Sequence, residues 1–308
     1  MDLKIERIMV GVSGASRKVI AAATELCRKS HTKLDLVSIV PPTASHLGMT
    51  DAERLKHTHL LAAGQRLGLE RLAKPLRAQG LTVHCHVEIN RSVTEGLLDC
   101  IRRFKPSLVA IEAHKHTILS RVFLTQTDYN LVRYCRVPLW IVKNSPRVHR
   151  TAVLAALDPG RTNDKPSSLD DEIITCARGL VRILGGAVHS AHIYAPLVGY
   201  VGDAMFAPAA IPVSLPVQQK YIARIRKQFK TLSSRYRIAP RRVHLKMGDP
   251  AFELPSLARS IRARMVVMGA VARGAVKRAL IGNTAERVLD AMPCDVLVVK
   301  PKDFRAAG

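Results

Sequence analysis

Acidic residues and aromatics are both scarce in this sequence. Aromatics make up 4% of it, and 24 Asp and Glu stand against 48 Lys and Arg, a net charge of +24. A nucleic-acid module usually gathers its charge on one face and adds aromatic platforms for bases. Here residues 1–150 hold 24 basic and 12 acidic side chains, and 151–308 hold the same numbers. The even distribution predicts a basic, well-solvated surface all round, with no nucleic-acid partner expected. The six cysteines form no CxxC and fall inside apolar periodic segments, which predicts buried, reduced thiols in a cytoplasmic protein. No apolar run reaches the roughly 18 residues that cross a bilayer; the most apolar stretch, 204–217, is interrupted by Pro208, Pro212 and Pro216. The first residues lack the basic, apolar, small-residue order of a secretory leader, so cytoplasmic localisation without membrane insertion is expected. Walker, GxSxG and HExxH motifs are all missing, and no nucleophile–base pair is evident, so no residue is assigned as catalytic.

What is present is an internal repeat. Shifted by 157, residues 108–143 lie on 265–300 without a gap: Val109 meets Val266, Ala113 meets Ala270, Arg121 meets Arg278, Thr127 meets Thr284 and Lys143 meets Lys300. The front ends align at a shift of 145, Ile8 to Ser13 on Val153 to Asp158, so the second copy carries 12 extra residues in its middle. Such self-similarity marks a duplicated unit. The predicted domains are 1–146 and 147–308, joined at Asn144-Ser145-Pro146-Arg147.

Within each copy, short continuous apolar runs alternate with helical spacing, the pattern of strands covered on both faces. Strands are predicted near 5–12, 34–40, 81–87, 107–111 and 139–142, then near 152–157, 187–194, 242–247, 264–268 and 295–299. Thr50-Asp51-Ala52-Glu53 reads as a capping box opening a helix that runs to about Gly80. The fold class is α/β: two tandem doubly wound five-stranded parallel-sheet domains, strand order 3-2-1-4-5. Ligands of such sheets lie beyond the carboxyl ends of the strands, where the winding reverses.

That location holds Gly269-Ala270-Val271-Ala272-Arg273-Gly274 and then Gly282-Asn283-Thr284 in the second copy. Glycine admits close backbone approach, and a helix opening at Gly282 would aim N–H groups at an anion. Arg273, Lys277 and Arg278 add positive charge. The plainer alternative is a capped helix start after a loop, and local pattern does not separate the two.

Met268-Gly269 through Gly282-Asn283-Thr284-Ala285-Glu286-Arg287-Val288, closing on Val296-Leu297-Val298-Val299-Lys300-Pro301, resembles the C-terminal signature of the universal stress protein (UspA) superfamily. The GNTAE wording and the tandem arrangement resemble its UspE branch, as do Ala113-His114-Lys115-His116 and Thr125-Gln126-Thr127-Asp128. The resemblance implies a Rossmann-like, adenine nucleotide alpha hydrolase-like fold and a stress-response role. It also implies pairing of the domains through their last strands, 139–143 and 296–300, and leaves a homodimer open. Carried over by position, Asp158 would lie by the ribose, the Ile193 backbone would read adenine, and Gly269, Gly282, Asn283 and Thr284 would form the phosphate loop. The ligand implied is ATP or another adenine nucleotide, with Mg accompanying it. Two positions depart from the family's G-x2-G-x9-G-(S/T): Ala272 replaces the second glycine and Asn283 the hydroxyl residue. The first copy departs further, with Ser13 for the aspartate, Glu112 and Lys115 for the first two glycines, and Thr125-Gln126 for Gly-Ser. A carboxylate near the phosphate position repels it, so this first site is expected to be degenerate.

Two features remain outside that scheme. His84 and His86 alternate onto one face of a strand, and His114 and His116 flank Lys115; they are the only candidates for a metal, with no acidic ligand evident beside them, and none is assigned. The apolar insertion from Leu197 to Val217 is expected to pack against the partner domain, with a lid or a hydrophobic ligand pocket as the alternative. The expected function is thus a nucleotide-responsive binding module. A slow ATP hydrolase, with Arg273 or Thr284 steadying the leaving phosphates, and a polyanion-binding protein are the alternatives.

Overall fold

The computed structural model describes residues 4–14, 16–44, 48–113, 124–143, 151–159, 168–201, 209–270, 282–301 and 304. The first half runs β1 (Arg7–Gly11), α1 (Arg17–Ser30), β2 (Lys33–Val40), α2 (Asp51–Ala78), β3 (Val83–Ile89), α3 (Val93–Phe104), β4 (Leu108–Glu112), α4 (Gln126–Tyr134) and β5 (Leu139–Val142). The second runs β6 (Ala152–Ala156), α5 (Ser168–Leu184), β7 (Ala187–Tyr194), β8 (Val198–Val201), β9 (Ala209–Pro212), α6 (Leu215–Arg235), β10 (Val243–Met247), α7 (Pro250–Ser260), β11 (Ala263–Gly269), α8 (Asn283–Ala291) and β12 (Asp295–Val299). Each half forms parallel strands in the order β3-β2-β1-β4-β5 and β10-β7-β6-β11-β12, the predicted 3-2-1-4-5 in both.

The two sheets join into one of ten strands. β5 and β12 meet antiparallel, with Ile141 opposite Val296, Trp140 opposite Leu297 and Leu139 opposite Val298. Every residue of both strands is buried, because helices cover both faces, and a continuous apolar run is the pattern that survives there. The join is polar as well. Asp295, 2% exposed, accepts from the Trp140 indole N–H at 3.2 Å and from the Lys143 backbone N–H at 2.9 Å. The Lys143 ammonium donates to the carbonyls of Leu289, Asp290 and Met292, at the end of α8, where unpaired carbonyls and the negative end of the helix dipole lie.

The Thr50 and Glu53 side chains close the expected capping box at α2. Gly186 has a φ of +105°, and a Cβ there would meet the Thr151 carbonyl oxygen at 1.8 Å, so only glycine serves at this turn into β7. Five of the six cysteines are buried and Cys85 is half-buried, all as free thiols. The insertion contains an antiparallel ribbon, β8 with β9, separate from the main sheet, which the proline-broken sequence did not announce. The side chains of this ribbon lie outside the described residues, and with them the expected packing against the partner domain. Among the described residues, no helix is long and apolar enough to cross a membrane.

The two helical faces of the sheet differ in charge. The buried side chains of α1, α2, α5 and α6 line one face of the sheet, and those of α3, α4, α7 and α8 line the other. On the first set, seventeen exposed residues are Lys or Arg and two are acidic; on the second, four are basic and two acidic. The charge is even along the chain, and on the described helices it is one-sided in space.

Candidate functional site

The carboxyl ends of β7, β6 and β11 adjoin in the sheet, and the winding reverses at β6. Asp158 follows β6, Ile193 is next to last in β7, and Gly269 ends β11, so three of the predicted residues meet at one sheet edge. α8 begins just beyond, with Gly282 as its N-cap and Asn283 and Thr284 exposed on its first turn. Ala272 and Arg273 lie outside the described residues, as do Lys277 and Arg278.

Asp158 is held from two sides. Its N–H donates to Asp170 Oδ1 at 3.1 Å, on the first turn of α5. Its Oδ1 lies 3.8 Å from Nδ1 of His192, which is buried and 2.9 Å from the Leu157 carbonyl oxygen. Sequence reasoning missed Asp170 and His192. A trace of the latter was there, since alternation puts His192 and Tyr194 on the face opposite Ile193. The rings of His192 and Tyr194 lie 6.4 Å apart and nearly parallel, and Tyr221 meets Tyr194 edge-on at 6.3 Å.

Gly269 has a packing reason as well as a candidate binding one. A Cβ on it would meet Leu169 Cδ2 at 2.7 Å, so the absent side chain lets α5 approach the strand. Gly282 has an ordinary extended backbone, φ −68° and ψ 139°, and no side chain caps α8. The N–H groups of that first turn are therefore left without the side-chain oxygen such a terminus normally recruits.

The first domain answers the same positions differently. Thr125 Oγ1 accepts from the Asp128 N–H at 3.2 Å, and Asp128 Oδ2 accepts from the Thr125 N–H at 2.7 Å, a closed capping box on α4. Glu112 turns to α1, where its Oε2 accepts from the N–H groups of Lys18 and Val19, both at 3.2 Å. Ser13 donates its N–H to Ser16 Oγ. Both helix starts thus carry carboxylates of the protein itself.

His84 and His86 have the acidic neighbour that the sequence did not reveal. Asp35 is fully buried on β2, opposite His84 in register; its Oδ1 lies 3.1 Å from His84 Nδ1 and 3.7 Å from His86 Nε2, and Arg7 Nε stands 3.5 Å from Oδ2. Burial lowers the pKa of His86 despite that carboxylate. Among the described residues no group of three His, Cys, Asp or Glu could hold a metal ion. His114 and His116 lie outside the described residues.

The model of the universal stress protein family matches residues 4–143 and again 166–300. The chain belongs to the universal stress protein family. It is a tandem member, similar to universal stress protein E of Escherichia coli K12, with 30% identity over 204 residues; that match spans 64% of this chain and 62% of the relative's length. The universal stress protein E homolog of Haemophilus influenzae is 24% identical over 253 residues, 80% of this chain and 76% of that one. Among solved structures, a Pseudomonas aeruginosa PAO1 protein of unknown function superposes with a TM-score of 0.76 at 22% identity, covering 98% of this chain and 95% of the other. A universal stress protein from Archaeoglobus fulgidus gives 0.66 at 17% identity, covering 96% and 98%. Both extend over the two domains and agree with the tandem universal stress protein fold.

Proposed function

We propose that the second domain binds an adenine nucleotide, ATP or a close relative with its Mg, and that the chain is a cytoplasmic, nucleotide-responsive stress-response module. One contrast carries the reading: Thr125 and Asp128 cap α4, while their repeats, Gly282 and Ala285, leave α8 without a side-chain cap. A phosphate group supplies the acceptor oxygens that the second helix start lacks, and the helix dipole favours its charge. Asp158 stands at the neighbouring strand end, where a ribose hydroxyl could donate to it. Ile193 offers backbone groups for the base, with Asn283 and Thr284 supplying side-chain donors beside the phosphates. In the first domain the amides are already bonded to the Thr125 hydroxyl and the Asp128 and Glu112 carboxylates, so nucleotide would have to displace them against like charge.

The test is calorimetric titration of the full chain with Mg-ATP. Cutting the domains apart would expose the buried seam at Trp140 and Asp295, so the whole chain is the right material. One equivalent should bind. Gly282→Val should abolish binding, because a branched side chain blocks approach to the amides. Gly282→Asp should stabilise the fold by a few tenths of a kcal/mol by capping α8, with a correspondingly small rise in melting temperature, while also losing nucleotide. Two equivalents, or one that survives both substitutions, would show that the binding domain is misassigned.

A further inference from the structure

The one-sided charge has no role in the nucleotide site, which lies at the sheet's carboxyl edge. Across one face of the ten-stranded sheet the helices stand in the order α2, α1, α5, α6. A groove lies between α2 and α1, Lys29 of α1 donates to the Leu184 carbonyl at the end of α5, and Asp171 of α5 meets Arg235 and Tyr236 at the end of α6. Every exposed charged residue on α1, α5 and α6 is basic: four on α1, two on α5 and six on α6. α6 contains no acidic residue at all. The half-buried acids in the layer include Glu25, paired with Lys29 and Arg264, Glu70 with Arg77, and Asp171 with Arg235 and Tyr236; each offsets a basic partner, and the seventeen exposed cations still outnumber the seven acids of the four helices. The other helical layer, built from the same repeat, shows no such excess.

From this face we infer a second binding activity: the α1–α5–α6 surface docks the phosphate backbone of a nucleic-acid duplex, without reading its sequence. Helices packed side by side at about 8–10 Å place their outer rows over roughly 20–30 Å, broad enough to follow several phosphates on a duplex. No aromatic side chain is exposed on α1, α2, α5 or α6, since Tyr221 is half-buried and Phe229 is buried. The face therefore lacks the stacking platforms of single-strand binders. A bilayer is the competing polyanion, but surface insertion needs apolar side chains among the charges. On α1 and α5 the exposed residues are Ala21 and basic side chains, and the exposed leucines stand apart, on α2 and the first turn of α6.

The experiment is fluorescence anisotropy of a labelled 30-base-pair duplex of arbitrary sequence, titrated with full-length protein between 50 and 200 mM salt. Two triple variants remove the same net charge: Arg17, Arg178 and Arg182 to Gln on the basic face, and Arg102, Arg103 and Arg259 to Gln on the other layer. The first should weaken binding at least tenfold at 100 mM salt and lower the log–log salt slope by up to about 3, at roughly 0.9 per lost phosphate contact. The second should change affinity less than threefold. Circular dichroism on both triples checks that they remain folded. Equal loss in the two triples would reduce the effect to net charge and overturn the inference. So would the absence of duplex binding at 100 mM salt, tighter binding to the matching single strand, or capture by phosphatidylserine vesicles without capture by duplex.

Discussion

Glu112 and Gly269 stand at the same position of the duplicated strand, and only the first sends a side chain to the neighbouring helix. Glu112 bonds two first-turn amides of α1, whereas Gly269 leaves its space to Leu169. Glu112→Ala should therefore behave as the loss of a helix cap, costing about 1 kcal/mol. Gly269→Ala should cost on the order of 1–3 kcal/mol, because the new Cβ at 2.7 Å forces Leu169 to move. Urea denaturation reads both. A neutral Gly269→Ala would mean that α5 is not packed as closely as its geometry indicates.

Asp295 carries the polar part of the seam between domains. It is buried and accepts from both the Trp140 indole and the Lys143 backbone. Asp295→Ala would strand two buried donors, and should destabilise the chain by about 2–5 kcal/mol. Asp295→Asn keeps an acceptor oxygen and should cost less. If the alanine and asparagine variants unfold at the same urea concentration, the acceptor that asparagine retains contributes nothing.

How much of this was legible in the sequence follows from where each partner lies. The central strands stood out because both faces are buried, so β5 and β12 fall where the apolar runs put them. Thr50 and Glu53 are three residues apart, and their capping box could be read directly. The Thr125–Asp128 box has the same spacing, yet Asp in place of Glu disguised it. Asp35 and His84 are 49 residues apart and meet only through strand register, which no local pattern discloses. The basic face was hidden for a related reason. Totals for each half are equal, while its arginines and lysines come from α1 in one half and α5 and α6 in the other. Pro208 and Pro212 masked the β8–β9 ribbon by breaking the period that marks a strand.

The histidine pair at the far edge of the second sheet makes stability sensitive to mild acid. His189 Nδ1 and His244 Nε2 lie 3.0 Å apart with their rings 4° from parallel, so one nitrogen donates to the other. Burial pulls the His189 pKa down to about 4, assisted by the charges of His244 and Arg242, and His244 is lowered as well, by burial and by Lys246. The unfolded chain takes up a proton at this histidine as pH falls through about 6.5, while the folded chain resists until about 4. Between those values the unfolded state holds more protons, so acidification favours it and stability declines. The contribution is whole above pH 6.5 and is lost as pH drops toward 4. His189 is partly exposed, and solvent screening makes the effect modest. His189→Gln should give a melting temperature that falls less steeply between pH 7 and 4.5 than that of the wild type, even if it starts lower at pH 7. His59→Gln, at an exposed position on α2, serves as the control. Parallel profiles for wild type and His189→Gln would mean that the acid sensitivity originates elsewhere.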